Sequence, residues 1–188
     1  MKKIMVFMAV AVLATVSASA KGRSFGVTAG LNISRISIEG PSIEFDSKMG
    51  ILVGGVIDHD LSNSFSIISE LAFSQKGWKQ GDHAATFNYL QLSPANVTYK
   101  IPLPADSKMF VFLGPYFSYL ISGSGDYEES NSVLPVDCGI NLGAGYQFGK
   151  IYGKFQYSMG MVNIASQENK FNKLENSSNV GISVGYFF

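Results

Sequence analysis

Apolar and polar residues alternate one for one over long stretches of this chain, and that period limits what it can fold into. From Ser24 to Ser34, the residues Phe25, Val27, Ala29, Leu31 and Ile33 alternate with Gly26, Thr28, Gly30, Asn32 and Ser34. Successive side chains of a strand point to opposite faces, so such a segment is a strand with one apolar and one polar side. The pattern recurs near residues 49–57, 65–75, 87–99, 109–121, 136–148, 151–161 and 179–188. These eight segments are each about as long as the ~9–11 residues a tilted strand needs to cross a bilayer. No helical period follows Lys21. The chain is expected to be all-β.

The fourth segment changes parity. Its apolar positions are even at Leu90 and Leu92 but odd at Val97 and Tyr99. One extra residue near Ser93-Pro94-Ala95 makes a β-bulge, where proline is tolerated; two shorter pieces with a break are the alternative. Connections alternate in length, long near 35–48, 76–86, 122–135 and 162–178, short near 58–64, 100–108 and 149–150. A meander with long loops at one end and tight turns at the other is the layout of an outer-membrane barrel, with both termini on the periplasmic side.

Alternation alone does not say which face is wet. A water-facing side should be rich in charge, yet charged residues are only 15% of the chain. The polar face here is mostly Gly, Ser, Thr and Asn, and holds Gly26, Gly30, Gly50, Gly54, Gly114, Gly139, Gly143, Gly145, Gly160, Gly181 and Gly185. Small residues suit the crowded interior of a narrow eight-stranded barrel. The apolar face therefore points to lipid. Phe25, Phe65, Tyr99, Tyr186 and Phe188 near the short turns, and Phe73, Phe87, Tyr119 and Tyr157 toward the long loops, are expected to form two interfacial girdles. A soluble lipocalin-like carrier is the rival architecture, and it predicts solubility without detergent.

Residues 1–20 read as a cleaved signal peptide. Lys2 and Lys3 precede an apolar stretch too short to span a bilayer, and Ala18-Ser19-Ala20 gives the small-x-small cleavage pattern. The barrel domain then occupies residues 21–188. With Cys138 as its one cysteine the chain has no disulfide framework. Its 14 Lys+Arg balance 14 Asp+Glu, which leaves no basic footprint for nucleic acid.

Several segments carry a resemblance to a known family. They are Leu61-Ser62 and Phe65-Ser66 leading into Glu70-Leu71-Ala72-Phe73-Ser74-Gln75-Lys76-Gly77, then Asn88-Tyr89-Leu90-Gln91-Leu92, Gly114-Pro115-Tyr116, and Asp137-Cys138-Gly139 running into Gly143-Ala144-Gly145-Tyr146. The chain resembles the small outer-membrane β-barrel family that includes PorT-like proteins, over essentially all of residues 21–188. It departs at Gln91, where a glutamate is expected, and in the Ser93-Pro94 spacing. The resemblance implies the outer membrane as location and says little of activity. The ending Gly185-Tyr186-Phe187-Phe188 resembles the signal read by the barrel-assembly machinery, with Tyr186 and Phe188 as its aromatic positions.

The polar face also carries the candidate site. Glu70 on the third strand and Lys154 on the seventh are expected to face each other across the lumen, with Gln91, Asp137, Asn141, Gln147, Gln156 and Lys76 on the same face. A buried charge in a narrow barrel must be paired, so a polar network that plugs the lumen is expected, a narrow conducting path being the alternative. Other motifs fail on context. The G-x-S-x-G at Gly181–Gly185 lies inside a strand rather than at a nucleophile elbow. Gly143-x-Gly145-x-x-x-Gly149 opens no helix. Asp58-His59-Asp60 begins like a calcium loop but lacks its glycine and terminal glutamate, and reads as a solvated turn. His59 and His83 belong to opposite ends, and Cys138 falls on the lipid face as a small hydrophobe.

No catalytic residue, cofactor or metal is therefore expected, and no enzyme. The stretch 122–135, with Gly123, Gly125, Asp126, Glu128 and Glu129, reads as flexible and acidic, and 167–178 is rich in Asn, Ser and Lys. Loops carry recognition more often than frameworks do. The function expected is an integral outer-membrane barrel with a structural or surface-interaction role. The alternative is a small passive channel or an accessory to transport or secretion. Its partners would be outer-membrane lipid and lipopolysaccharide, the assembly machinery, and a surface or periplasmic protein.

Overall fold

The computed structural model describes residues 22–38, 46–80, 83–125, 136–161 and 174–188. The expected signal peptide lies outside them. Eight strands follow in chain order: β1 (Gly22–Ile38), β2 (Asp46–Asp60), β3 (Phe65–Gln80), β4 (His83–Leu103), β5 (Ser107–Gly125), β6 (Val136–Phe148), β7 (Ile151–Gly160) and β8 (Leu174–Phe187). Each pairs antiparallel with its neighbour, and β8 returns to β1, so the sheet is a closed barrel. Closure leaves no free sheet edge, so outside the register shifts the spanning backbone groups find ladder partners that lipid could not supply. Each alternating segment of the sequence falls on one strand to within a residue.

The alternation sorts the side chains as the glycines indicate. Along β1, Gly26, Thr28, Asn32 and Ser34 are buried inside, while Phe25, Val27, Leu31 and Ile33 are 41–56% exposed on the outer wall. At the short-turn end the outer wall carries Phe25, Phe65, Tyr99, Tyr146, Phe148, Tyr186 and Phe188. Rings of Phe65 and Tyr99 stand 5.1 Å apart, and those of Tyr186 and Phe188 5.7 Å. Phe73, Tyr119 and Tyr157 are half-buried on the outer wall at the far end. Phe87 is a correction. It is 5% exposed and packs inside with Tyr89 and Leu120, because it shares the odd parity of Tyr89 and Gln91 before the bulge.

The parity switch in β4 is a bulge in one continuous strand. Glu70 pairs with Ser93 and Ile68 with Asn96, so three steps on β4 match two on β3. The same extra residue appears against β5, where Leu92 faces Phe117 and Val97 faces Leu113. Ser69 sits opposite the bulge and its hydroxyl donates to the Pro94 carbonyl at 2.6 Å.

Short connections at 61–64, 104–106 and 149–150 share one end of the barrel; those at 39–45, 126–135 and 161–173 share the other. Of the long connection expected near 76–86, residues 76–80 and 83–86 are strand. Pairing continues from Lys76↔Phe87 to Gln80↔His83. These polar residues extend the ribbon without the apolar alternation that marks a lipid-crossing stretch, so hydropathy did not mark them as strand. Asp58-His59-Asp60 likewise belongs to β2 and not to the turn.

Candidate functional site in the barrel lumen

Narrowness follows from reach. Lys154 on β7 and Glu70 on β3 stand four strands apart around an eight-stranded ring, and their side chains form an ion pair across it. Both are nearly fully buried. The Lys154 ammonium also donates to Gln156 Oε1 at 3.4 Å and stands 5.7 Å from the centre of the Phe112 ring. Gln156 donates to Ser158 Oγ at 3.1 Å, and Ser158 to Asn141 Oδ1 at 2.8 Å. Asn141 in turn donates to Ser93 Oγ at 2.9 Å. One chain of hydrogen bonds thus joins β3, β7, β6 and β4 through the interior.

A second pair lies nearer the long loops. Lys76 reaches Asp137 Oδ2 at 3.2 Å, both ends buried, and its ammonium is 5.2 Å and 5.1 Å from the ring centres of Tyr89 and Tyr116. Tyr116, wholly buried, donates its hydroxyl to the same carboxylate at 3.3–3.4 Å. Ser118 donates to Gln91 Oε1 at 3.3 Å, and Asn32 to Ser74 Oγ at 2.8 Å. Charges buried this deeply persist only when paired and hydrogen-bonded. Glu70, Gln91, Asp137, Asn141, Lys154 and Gln156 all point inward, but in two groups: Gln91 and Asp137 lie toward the long-loop end, and the other four form the central chain.

Toward the short turns the lumen is apolar, which the sequence reading did not anticipate. Val56, Phe110, Phe112, Tyr152 and Phe187 form one buried cluster. Tyr152 and Phe187 stack at 4.9 Å, and Phe110 meets Tyr152 edge-on at 6.4 Å. Glycines on the adjacent strands, the direct cross-strand partners of these residues, make room for the rings. A Cβ on Gly145 or Gly143 would lie 2.3 Å from the tip of Phe110 or Phe112, and one on Gly185 would lie 2.2 Å from Tyr152. The available signal was this complement: apolar rings on both parities of 109–117, opposite glycines on 143–145.

Below the rings, Lys100 bridges Asp58 at 2.5 Å and Asp60 at 2.8 Å. The two carboxylates of the supposed calcium-like turn are thus held by an ammonium. Ser183 of the G-x-S-x-G is buried in β8 and faces the lumen. Cys138 is half-buried on the outer parity, beside Phe117. Residues 126–135 and the side chain of His83 lie outside the described residues. At the C-terminus Tyr186 and Phe188 face outward and Phe187 inward; the Phe188 amide donates to the Phe25 carbonyl at 2.8 Å.

Known proteins share this architecture. Neisserial surface protein A (NspA) superposes with a TM-score of 0.57 at 14% identity, covering 89% of this chain and all of that one. Ail, the attachment invasion locus protein of Yersinia pestis, gives 0.51 at 14% identity over 88% of this chain and 98% of its own. At such identity the likeness is one of fold. No curated protein sequence matches the chain. The family model described as outer membrane protein beta-barrel domain matches residues 15–166. The chain belongs to that family, and the protein is a β-barrel of the bacterial outer membrane.

Proposed function

We propose that this barrel is a structural, surface-contacting protein whose lumen is closed to ions by its own side chains. The observation that carries the reading is the filling of the interior. Two buried ion pairs and a cluster of rings seated over glycines occupy successive levels of the lumen. A cavity of about 20 Å³ lies among them, lined by Glu70, Asn96, Phe110, Tyr152 and their neighbours. An eight-stranded barrel leaves little more than side-chain room inside, and here charge and aromatic volume both take it.

A filled lumen moves function to the ends. The long connections 39–45, 126–135 and 161–173 leave the same end, and the start of β1 at Gly22 and the end of β8 at Phe187 lie at the other. In the proposed orientation the long connections face outward among lipopolysaccharide and meet a surface partner. The short turns and termini face the periplasm. Two relatives in fold are named for surface roles, as a surface protein and as an attachment invasion locus protein, which fits this reading. Tyr186 and Phe188, turned outward on the last strand, would present the terminal signal to the assembly machinery.

Planar-bilayer recording of the refolded chain tests the closed lumen. No discrete conductance steps above baseline are expected over a wide voltage range. Steps that scale with salt concentration would replace this reading with that of a passive channel.

A further inference from the structure

We propose that the small cavity between Asp58, Asn96 and Lys100 is a built site for one buried water molecule, reached from the short-turn mouth. Asp58 and Asn96 are both ladder partners of Ile68, on the two strands flanking β3, and both line the cavity. Each is at least 95% buried, and each keeps an oxygen, Asp58 Oδ1 and Asn96 Oδ1, without a hydrogen-bond partner from the protein. The second oxygen of Asp58 is already bound to the Lys100 ammonium. Two buried acceptors left unsatisfied cost several times what a made hydrogen bond contributes. A volume of about 20 Å³ exceeds the roughly 10–15 Å³ one water requires.

The chemistry selects water over an ion. Water offers two O–H donors for the two orphaned oxygens. Its own oxygen can accept from the Lys100 ammonium, which lines the same cavity. A metal cation would need several more oxygens than are free, and would sit beside that ammonium. The way in is also built. Lys100 lines a second, open cleft of about 450 Å³ with Gly22, Asp60, Ser62 and Lys108 at the short-turn mouth. Lys100, held between buried Asp58 and half-exposed Asp60, therefore separates bulk solvent from the cavity. Above it Phe110, Phe112, Tyr152 and Phe187 line the cavity's far side. The site stands on this half of the lumen alone and does not depend on what the long connections meet.

Water–protein cross-relaxation NMR of the refolded full chain in lipid nanodiscs tests the site directly. A cross-peak between water and the Asn96 side-chain amide, with the sign of a long-lived complex, is expected. Absence of that peak overturns the proposal. Shifts of the Asn96 amide on exchanging sodium for potassium would also overturn it, in favour of an ion. The variant Asn96→Leu supplies an independent sign. If water bridges the two oxygens, the substitution strands Asp58 Oδ1, and the temperature at which the folded band is lost on electrophoresis falls by several degrees. If the cavity is dry, leucine removes an unsatisfied acceptor and fills space, so that temperature holds or rises, against the proposal. Should Asn96→Leu fail to refold, the measurement on the unsubstituted protein decides.

Discussion

Lys154 shows how much of one side chain's environment a narrow barrel specifies. Its ammonium meets Glu70, Gln156 and the face of Phe112, so carboxylate, amide and ring all answer one charge. Removing one partner of such a pair leaves the other ionised and stranded, at about 3–5 kcal/mol, whereas replacing both by apolar residues of similar volume is often near neutral. Lys154→Met should therefore destabilise by about that amount. The double change Glu70→Met with Lys154→Met should recover most of it. Urea unfolding of the refolded protein in vesicles measures both. A single variant as stable as the double would show that the pair is not coupled. Both residues were legible in the sequence, because Lys154 is the one charge on β7 and Glu70 the one charge in the alternating stretch 65–75 of β3, each at an inward parity. Their meeting across the lumen follows only from closure of the ring.

At the scale of the strand, the bulge in β4 sets a local problem. Pro94 has no amide hydrogen to give, and neither Pro94 nor Ala95 has a ladder partner on β3 or β5. In a stretch flanked by lipid no water is at hand to satisfy the carbonyl. Ser69, 2% exposed though on the outer parity, fills that role with its 2.6 Å bond to the Pro94 oxygen. Ser69→Ala should cost about 1–3 kcal/mol, the penalty of an unsatisfied buried acceptor. Ser66→Ala, three residues away, removes a buried hydroxyl that has no partner, and should hold or raise stability in the same unfolding curve. Equal effects from the two would dismiss the bond as the cause. The bulge was readable from apolar parity alone, since an added residue inverts every position after it. Its serine was not, because a hydroxyl on a lipid-facing position looks like a lapse in the pattern until the carbonyl beneath it is known. The ribbon beyond Gln75 escaped for the opposite reason. Outside the apolar band a strand needs only its ladder, and polar residues such as Lys79 and Gln80 leave no period to detect.

For the whole molecule, the outer wall fixes how thick a bilayer the barrel fits. On β1 the outward apolar positions run from Phe25 to Ile33; on β3 they run from Phe65 to Phe73. The next outward residue on β3, Gln75, donates to Asn88 Oδ1 at 3.2 Å, and Asn88 donates to Ser122 Oγ at 3.0 Å. That cross-strand polar ladder closes the band on β3, β4 and β5. Eight steps of about 3.3 Å, on strands tilted about 35–45°, give a band roughly 20 Å tall on β1 and β3, its narrow side, while β5 carries exposed apolar residues from Met109 to Ile121. That narrow side is somewhat under the ~25 Å of an average outer-membrane barrel and well under a hydrocarbon core of ~30 Å. In a thicker bilayer the barrel must thin the lipid around it or draw Gln75, Asn88 and Ser122 into hydrocarbon, at a cost that grows with each ångström of mismatch. Refolding yield from urea into phosphatidylcholine vesicles should thus be highest with ten- or twelve-carbon chains and fall steeply by eighteen, as read from the unboiled folded band. The variant Asn88→Leu with Gln75→Leu removes the ladder and lengthens the band on that side, so its yield should shift toward longer chains. A yield indifferent to chain length in both proteins would mean that the ladder does not mark the edge of the lipid-facing wall.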